Sequence, residues 1–557
     1  MIVTKHSRAR WIRLSGLLAL IALAVTGYVP AQGSQGGADR ILAKASQARV
    51  LHPTLARDFK PGARLSGAQL KAMSDKLYSI RRQVSGGVKS VTSGGALQQA
   101  AASETSPAAE AQFHGTPSAL IVGRNNFNNR ANNNTCGTAS TLAEPAAANE
   151  GAHVYYTGNL RHQEFSINGG ATYTCAAAYP AGPAEAPIAF GDTDVVYDHS
   201  RGVTFHSVLY VNNAITNGVI RVFVRRNMNL ADNCSYTIDS DPAATNVLDD
   251  YPHLGLSNNF LYMNANRVQR PFGPWLGAFI QRLNADQMAD CVAASGNSIN
   301  FTNPGGQRIL VPGQGARDVM YMAWVNTTSQ WRVFSWADSS ATVFSNFITV
   351  ATMTFGNPDC RGGRNNADWA DNLTANIVGF NVRATVGGDF VTVWAGTAAD
   401  ASHPQAHVHG AVLRIGASQT ALTLVQQPVI FNSTNCFGIP TATVNDRGDV
   451  GMALAFGSRA GGGGSAVATG VLMKDEFSPG PGGFSFALVA TGTDNPTRYG
   501  DYFTPRRNAP CGEWFDTTGY ALSGGTGLAN VNARYVEFGR GRDQQCYLAW
   551  RNSIPAS

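Results

Sequence analysis

The chain has 557 residues, of which 44% are hydrophobic and only 14% charged. That length calls for a large core or several domains, and the apolar fraction excludes a disordered, highly charged chain. The formal charge of +6 comes from the front: the first 31 residues hold four basic residues and no acid, residues 32–112 hold eleven Lys and Arg against five Asp and Glu, and 113–557 is left at about −4. A main domain of that sign lacks the concentrated basic surface that phosphate recognition needs, so nucleic acid is excluded as its partner.

Residues 1–31 read as a signal peptide. Lys5, Arg8, Arg10 and Arg13 precede an apolar stretch from Leu14 to Val25, and Val29-Pro30-Ala31 offers small residues for cleavage. The apolar core is about a dozen residues, short of the roughly 20 that span a bilayer. The mature chain is therefore expected to be secreted, periplasmic or at the cell surface, without a transmembrane segment.

Residues 32–117 form a basic extension rich in Ala, Gln and Ser. Leu70, Met73, Leu77, Ile80 and Val84 recur at intervals of three and four, which predicts an amphipathic helix over Ser66–Val84. A Gly/Ala/Ser-rich linker follows from Ser85 to Pro117.

From Ser118 to Ser557 the pattern is all-β, with short alternating runs between Gly, Asn, Asp and Pro. Hairpins are predicted at Asp194–Tyr197/Val203–Val208, Leu254–Ser257/Phe260–Asn264, Met320–Val325/Trp331–Trp336, Ile377–Thr385/Phe390–Trp394 and Ala442–Val444/Val450–Ala455. Their turns centre near 200, 258, 328, 388 and 447, a period of about 60 residues. Such a period marks a β-propeller of four-stranded blades. The length holds seven of them, with six the nearest competitor and a tandem of sandwiches the other reading.

Ser166-Ile167-Asn168-Gly169-Gly170-Ala171-Thr172-Tyr173 resembles the Asp-box of sialidase-type β-propellers, Ser-x-Asp-x-Gly-x-Thr-Trp, with Asn168 for the aspartate and Tyr173 for the tryptophan. Physically the box is a turn: the Asx side chain accepts backbone N–H groups, Gly170 supplies a positive φ, and Thr172 restarts a strand. The stretches 191–198, 250–255, 445–450 and 498–502 look like segments of secreted bacterial propellers of the same sialidase-like superfamily. The resemblance implies a propeller that takes ligands at one mouth of its channel. Sialidase activity would need an arginine triad, yet no Arg-Ile-Pro occurs, and Arg124 lies in an Asn-rich run, 124–134, that reads as a loop.

The function expected is therefore a binding module for a glycan or an extracellular protein, acting as a monomer. The alternative is a glycoside hydrolase or polysaccharide lyase. Inner strands converge on the axis, so residues at their starts are the site candidates: Asp192, Asp250, His253, Arg317, Arg498, Tyr499, Asp501 and Tyr502. An arginine beside a tyrosine can grip an acidic sugar, and Asp250 with Asp501 can form a carboxylate pair. Aspartates at such positions also hold loops through backbone N–H groups.

No cofactor and no metal is assigned. His407 and His409 would share a strand face beside His403 and can bind zinc if a third ligand arrives, but a lone His-x-His reads first as solvent-facing. Calcium is possible at Asp249/Asp250 or Asp239/Asp241, although neither has EF-hand spacing and both read as turn-formers. Eight cysteines without a Cys-x-x-Cys motif read as four disulfides of open connectivity. Trp324, Trp331, Trp336, Trp369 and Trp394 read as packing between blades.

Overall fold

Strands that alternate in polarity and are joined by tight turns pair with their sequence neighbours, and here that produces a row of antiparallel meanders. The computed structural model describes residues 117–554 except for short stretches, chiefly 129–134, 227–232, 271–274, 303–308 and 371–382. Of the N-terminal part it describes 43–57 almost throughout, with Gln69, Ala72 and Met73. The predicted signal peptide and the 85–117 linker, Pro117 apart, lie outside the described residues, as does most of the predicted Ser66–Val84 helix.

The first meander comprises Ala146–Glu150, His153–Thr157, Gln163–Ser166 and Thr174–Cys175. The second runs from Ile188–Asp198 through Val203–Val211 and Gly218–Arg226 to Cys234–Ile238. Val247–Leu256, Phe260–Gln269, Trp275–Asn284 and Gly296–Thr302 form the third, joined to the second by a single parallel pairing of Gly218 with Leu248. In the fourth, Val319–Thr327, Gln330–Ala337 and Thr342–Thr349 lie outside an inner segment at 309–316, where the Gly313 amide donates to the Tyr321 carbonyl at 2.9 Å.

The fifth contains Arg383–Gly387, Phe390–Thr397, His407–Ile415 and Leu422–Gln426. The sixth contains Cys436–Val444, Val450–Gly457, Ala468–Lys474 and Ser485–Ala490. Four of the five predicted hairpins are the inner corners of the second, third, fifth and sixth meanders, the one at Met320–Trp336 joins the second and third strands of the fourth, and the residues 377–382 assigned to one of them lie outside the described residues.

The last meander, Arg506–Arg507, Phe515–Leu522 and Val531–Arg540, takes its outer strand from the other end of the chain, Leu120–Asn128. This corrects the loop expected around Arg124. Arg124 is paired in register with Glu537, and the asparagines beside it are used by the fold: the Asn125 amide donates to the Val489 carbonyl at 2.6 Å. Polar side chains hide a strand whose partners are the backbones next to it.

Neighbouring sheets cover one another face to face all the way round. Tyr262 and Ile280 of the third pack on Met320 and Trp336 of the fourth, and Val471 of the sixth packs on Phe515 and Val536 of the last. Tyr520 and Tyr535 of the last pack on Ala147 and Tyr156 of the first, which returns the contact to its origin. A row of radial sheets whose end meets its beginning is a β-propeller. Trp324, Trp331, Trp336, Trp369 and Trp394 are all buried in this packing.

The basic extension, read as a helix and a linker, also supplies strands. Ala43–Gln47 pairs with Thr342–Thr349, Arg49–Leu51 with Gly296–Thr302, and Thr54–Ala56 with Cys234–Ile238. It thereby covers the outer edges of three successive sheets, edges that would otherwise present unpaired backbone.

The turn at Ser166–Tyr173 is held by its own side chains. Asn168 Oδ1 accepts from the Thr172 amide at 2.9 Å, and Ser166 Oγ accepts from the Gly170 amide at 2.9 Å. Gly169 and Gly170 take φ values of 63° and 78°, and the strand resumes at Thr174 rather than Thr172. A C-terminal helix, Gln544–Ser553, stacks Tyr547 on Trp514 with ring centroids 4.0 Å apart and reaches this turn through Arg551, which donates to the Gly169 carbonyl at 3.0 Å. The four disulfides join cysteines adjacent in sequence: Cys136–Cys175, Cys234–Cys291, Cys360–Cys436 and Cys511–Cys546.

Arg540 fastens the closure. Its guanidinium holds the Asp475 carboxylate of the sixth sheet through two nitrogens and donates to the Ser118 carbonyl at 2.7 Å, with both charged side chains at 1% exposure or less. Removing one partner of such a buried pair strands the other charge. Arg540→Leu is expected to lower the unfolding free energy by about 3–5 kcal/mol, measured by urea denaturation, while Arg361→Leu at an exposed pair should stay close to wild type.

Candidate functional site

Each inner strand begins at the same end of the ring, and several break their ladder there. Glu144, Asp192, Tyr251, Ile309 and Ile439 are non-glycine residues with φ between 30° and 64°. The register of the third and sixth sheets shifts beside two of them, between Asp250 and His253 and between Gly438 and Thr441. Left-handed residues without glycine cost about 1–3 kcal/mol each and persist where the surroundings fix them. Here they fall on two acids, Glu144 and Asp192, on Tyr251 and on two isoleucines packed in apolar clusters.

Below this level lies a narrow cavity lined by Asp194, His253, Gln314, Ala384, Thr441 and Arg506, one from each of six meanders. Its charges cancel one another. Arg506 Nη2 bonds Asp194 Oδ1 and Arg506 Nε donates to the Val195 carbonyl at 2.8 Å, while the Leu254 amide donates to Asp194 Oδ2 at 2.8 Å. His253 Nδ1 stands 3.5 Å from the same oxygen. Burial pushes the Asp194 carboxyl up, but Arg506, His253 and the Leu254 amide together outweigh it and hold the group at about 2. The space holds about one water molecule, so a sugar chain would meet the rim rather than this floor.

At the rim, Asn159 Nδ2 donates to Glu144 Oε2 at 2.7 Å, and Asn159 Oδ1 accepts from the Asp192 amide at 3.3 Å. Asp250 Oδ1 accepts from the Tyr251 amide at 3.0 Å, and the Tyr251 hydroxyl donates to the Asp501 carbonyl at 3.1 Å. The His253 ring meets Tyr502 edge-on at 4.7 Å and Tyr251 at 4.5 Å. Asp192, Asp250, His253, Asp501 and Tyr502 thus gather around adjacent inner strands, joined by Glu144, Asn159 and Tyr251. All of them are buried.

Other expectations change. Arg317 is exposed at the far end of an inner strand, where its carbonyl accepts from the Asn258 amide of the next turn at 2.8 Å, so it stands apart from the cluster. Tyr499 is core: its ring stacks on Tyr520 at 4.5 Å and its hydroxyl bonds Thr469 Oγ1 at 2.8 Å. Arg498 is committed to Asp501 through two nitrogens, which removes both from a free arginine grip and from the expected Asp250/Asp501 pair. The Tyr502 hydroxyl is held by the Thr193 amide and carbonyl at 3.2 and 3.1 Å, and burial first, then the Glu144 and Asp192 charges, push it well above the usual phenol range.

Asp249 and Asp250 sit inside a strand rather than a turn, and Ser240 occupies Asp249 through its amide at 2.7 Å and its hydroxyl at 2.5 Å. His407 and His409 are buried, not solvent-facing. Asp194, Arg506, Glu144 and Asn159 are not singled out by the sequence, although Asp194 is two residues from Asp192 and on the same strand face.

No protein-family model matches this sequence, and no curated protein matches it. Among solved structures it is similar to an α-L-arabinofuranosidase of Fusarium graminearum in complex with arabinobiose, at 8% identity and a TM-score of 0.34, over 72% of this chain and 92% of that one. It is similar to the Trypanosoma rangeli sialidase in complex with sialic acid at 8% identity and a TM-score of 0.33, over 64% of this chain and 55% of that one. A protein of unknown function from Dyadobacter fermentans matches at 10% identity and a TM-score of 0.36, over 62% and 94%. No residue role is carried over from them.

The Asp194 carboxyl lies below its ordinary 3.8 in the folded chain, so its contribution is present above that value and is lost as pH falls through about 2. The difference corresponds to about 2 kcal/mol. Asp194→Asn is expected to flatten the loss of stability in acid and, by leaving Arg506 buried without its partner, to cost about 3–5 kcal/mol at neutral pH, both read from urea midpoints across a pH series.

Proposed function

We propose that this chain is a seven-bladed β-propeller that hydrolyses glycosidic bonds at the rim of its channel, rather than a passive binding module. The observation that carries the reading is the pair of left-handed acidic residues, Glu144 just before the first inner strand and Asp192 within the second, joined through Asn159. Backbone strain concentrated where acids converge is a cost that function accounts for. Glycoside hydrolysis needs two carboxyl groups about the scissile bond, one to protonate the leaving oxygen and one to assist from the other face. Glu144, Asp192 and Asp250 are the set from which that pair is drawn. Glycoside hydrolysis is also the class of the arabinofuranosidase and the sialidase named above.

A lyase reading is weaker. β-Elimination wants an available tyrosine and a cation facing the sugar acid, whereas the Tyr502 hydroxyl is bonded to Thr193 and the Arg506 guanidinium to Asp194. The binding-module reading keeps the same rim without turnover. Export through a signal peptide is part of the proposal, and the four disulfides fit an oxidising compartment.

Incubation of the purified protein with aryl glycosides, arabinan oligosaccharides and sialosides, followed by product analysis, is expected to release sugar from at least one of them. Asp192→Asn and Asp250→Asn should each lower kcat about 10²–10⁴-fold with little change in KM, and Arg317→Ala should leave turnover intact. Glycan retention without product, unaffected by either substitution, returns the protein to the binding-module reading.

A further inference from the structure

Away from the rim, the connection from Phe390–Thr397 to His407–Ile415 in the fifth sheet carries a group of side chains that the reading above does not use. We propose that Asp400, His407 and His409 bind one divalent cation of the zinc class.

Three electron-pair donors face a single point. His407 and His409 alternate on one strand face, and their rings lean together until the two Nε2 atoms are 3.0 Å apart. His407 Nδ1 lies 3.0 Å from the Gln405 carbonyl, which can only accept, so the ring proton sits on Nδ1 and Nε2 carries a lone pair. Asp400 Oδ2 lies 3.5 Å from that same Nε2. All three ligand atoms fall within 4.8 Å of one another. Zinc bonds of 2.0–2.2 Å in a tetrahedron put ligand atoms roughly 3.3–3.5 Å apart, and the two distances bracket that edge.

A hydrogen bond between the imidazoles accounts for one contact only. It needs the His409 proton on Nε2, engages the single lone pair of His407 Nε2, and leaves the Asp400 oxygen facing that nitrogen with no proton between them. A cation satisfies all three at once, and two imidazoles with a carboxylate are a zinc-type set.

The supporting shell is built as metal sites require. Asp400 Oδ1 accepts from the amides of Ser402 at 2.7 Å and His403 at 2.8 Å, and His403 Nδ1 straddles the carboxylate at 3.0 Å from Oδ1 and 3.1 Å from Oδ2; with the His403 proton on Oδ1, Oδ2 turns to the cation. Gln405, whose carbonyl orients His407, is itself tied to the sixth sheet by the Ala460 amide at 2.7 Å. The His407 side chain is fully buried and Asp400 is 22% exposed, so solvent enters from the carboxylate side and can fill a fourth position. Bound there, the cation clamps the 398–406 connection onto the strand.

The test uses the full secreted chain, stripped with a chelator and titrated with Co(II), then with Zn(II). One Co(II) per chain with tetrahedral visible absorption is expected, displaced by zinc, and saturating zinc should raise the melting temperature. Asp400→Asn and His409→Gln should each abolish stoichiometric binding, and His403→Gln should keep one site but weaken it about tenfold. The proposal is overturned if wild type holds no more zinc than the Asp400→Asn/His409→Gln chain. It is equally overturned if the imidazole resonances of His407 and His409 do not move in saturating zinc, an outcome that needs no variant to fold. Neither result bears on hydrolysis at the rim.

Discussion

The pairing of Leu120–Asn128 with Val531–Arg540 is the constraint on which the rest depends. It turns a row of meanders into a ring, and only in a ring does every sheet have a neighbour on both faces. Without that strand, the last sheet would end in an unpaired edge, and the packing of Tyr520 and Tyr535 on Ala147 and Tyr156 would lose its anchor. Arg540 and the C-terminal helix secure the join from two sides, one through Asp475 and Ser118, the other through Trp514 and the Gly169 turn.

The ring in turn sorts the polar groups by depth. Asp194 and Arg506 cancel within a buried floor, where an unpaired charge would be costly. Above them the chain departs from regular strand geometry. Regular ladders cannot aim consecutive side chains at one point, because they alternate between faces. Bulges can, and register shifts recur in the inner strands of the third and sixth sheets.

Much of this architecture is legible in the amino-acid sequence. The period of about 60 residues comes from turns whose chemistry is local, Asn, Asp and Gly between alternating runs, and those turns are the inner corners of four sheets and, in the fourth sheet of the ring, the next corner out. What escapes is non-local. The closing strand is hidden because Arg124, Asn125 and Asn126 look like a loop until the backbones they bond are in place. Tyr499 and Arg317 share a strand start with reactive neighbours in the sequence, yet one turns into the core and the other lies at the opposite end of its strand. The histidine pair reads as solvent-facing because nothing in a short motif reports burial.

The disulfides and the closing strand set two different clocks for the maturing chain. Each cysteine is bridged to the next one along, so a polypeptide oxidised as it emerges, N-terminus first, always has its correct partner arrive before any competitor. The closing strand has the opposite fate: contacts such as Arg534 to Asn125 span 409 residues, and contacts that remote form late. A chain oxidised in that order would gather its covalent links one by one, while the early strand would pair only once the final blade is in place.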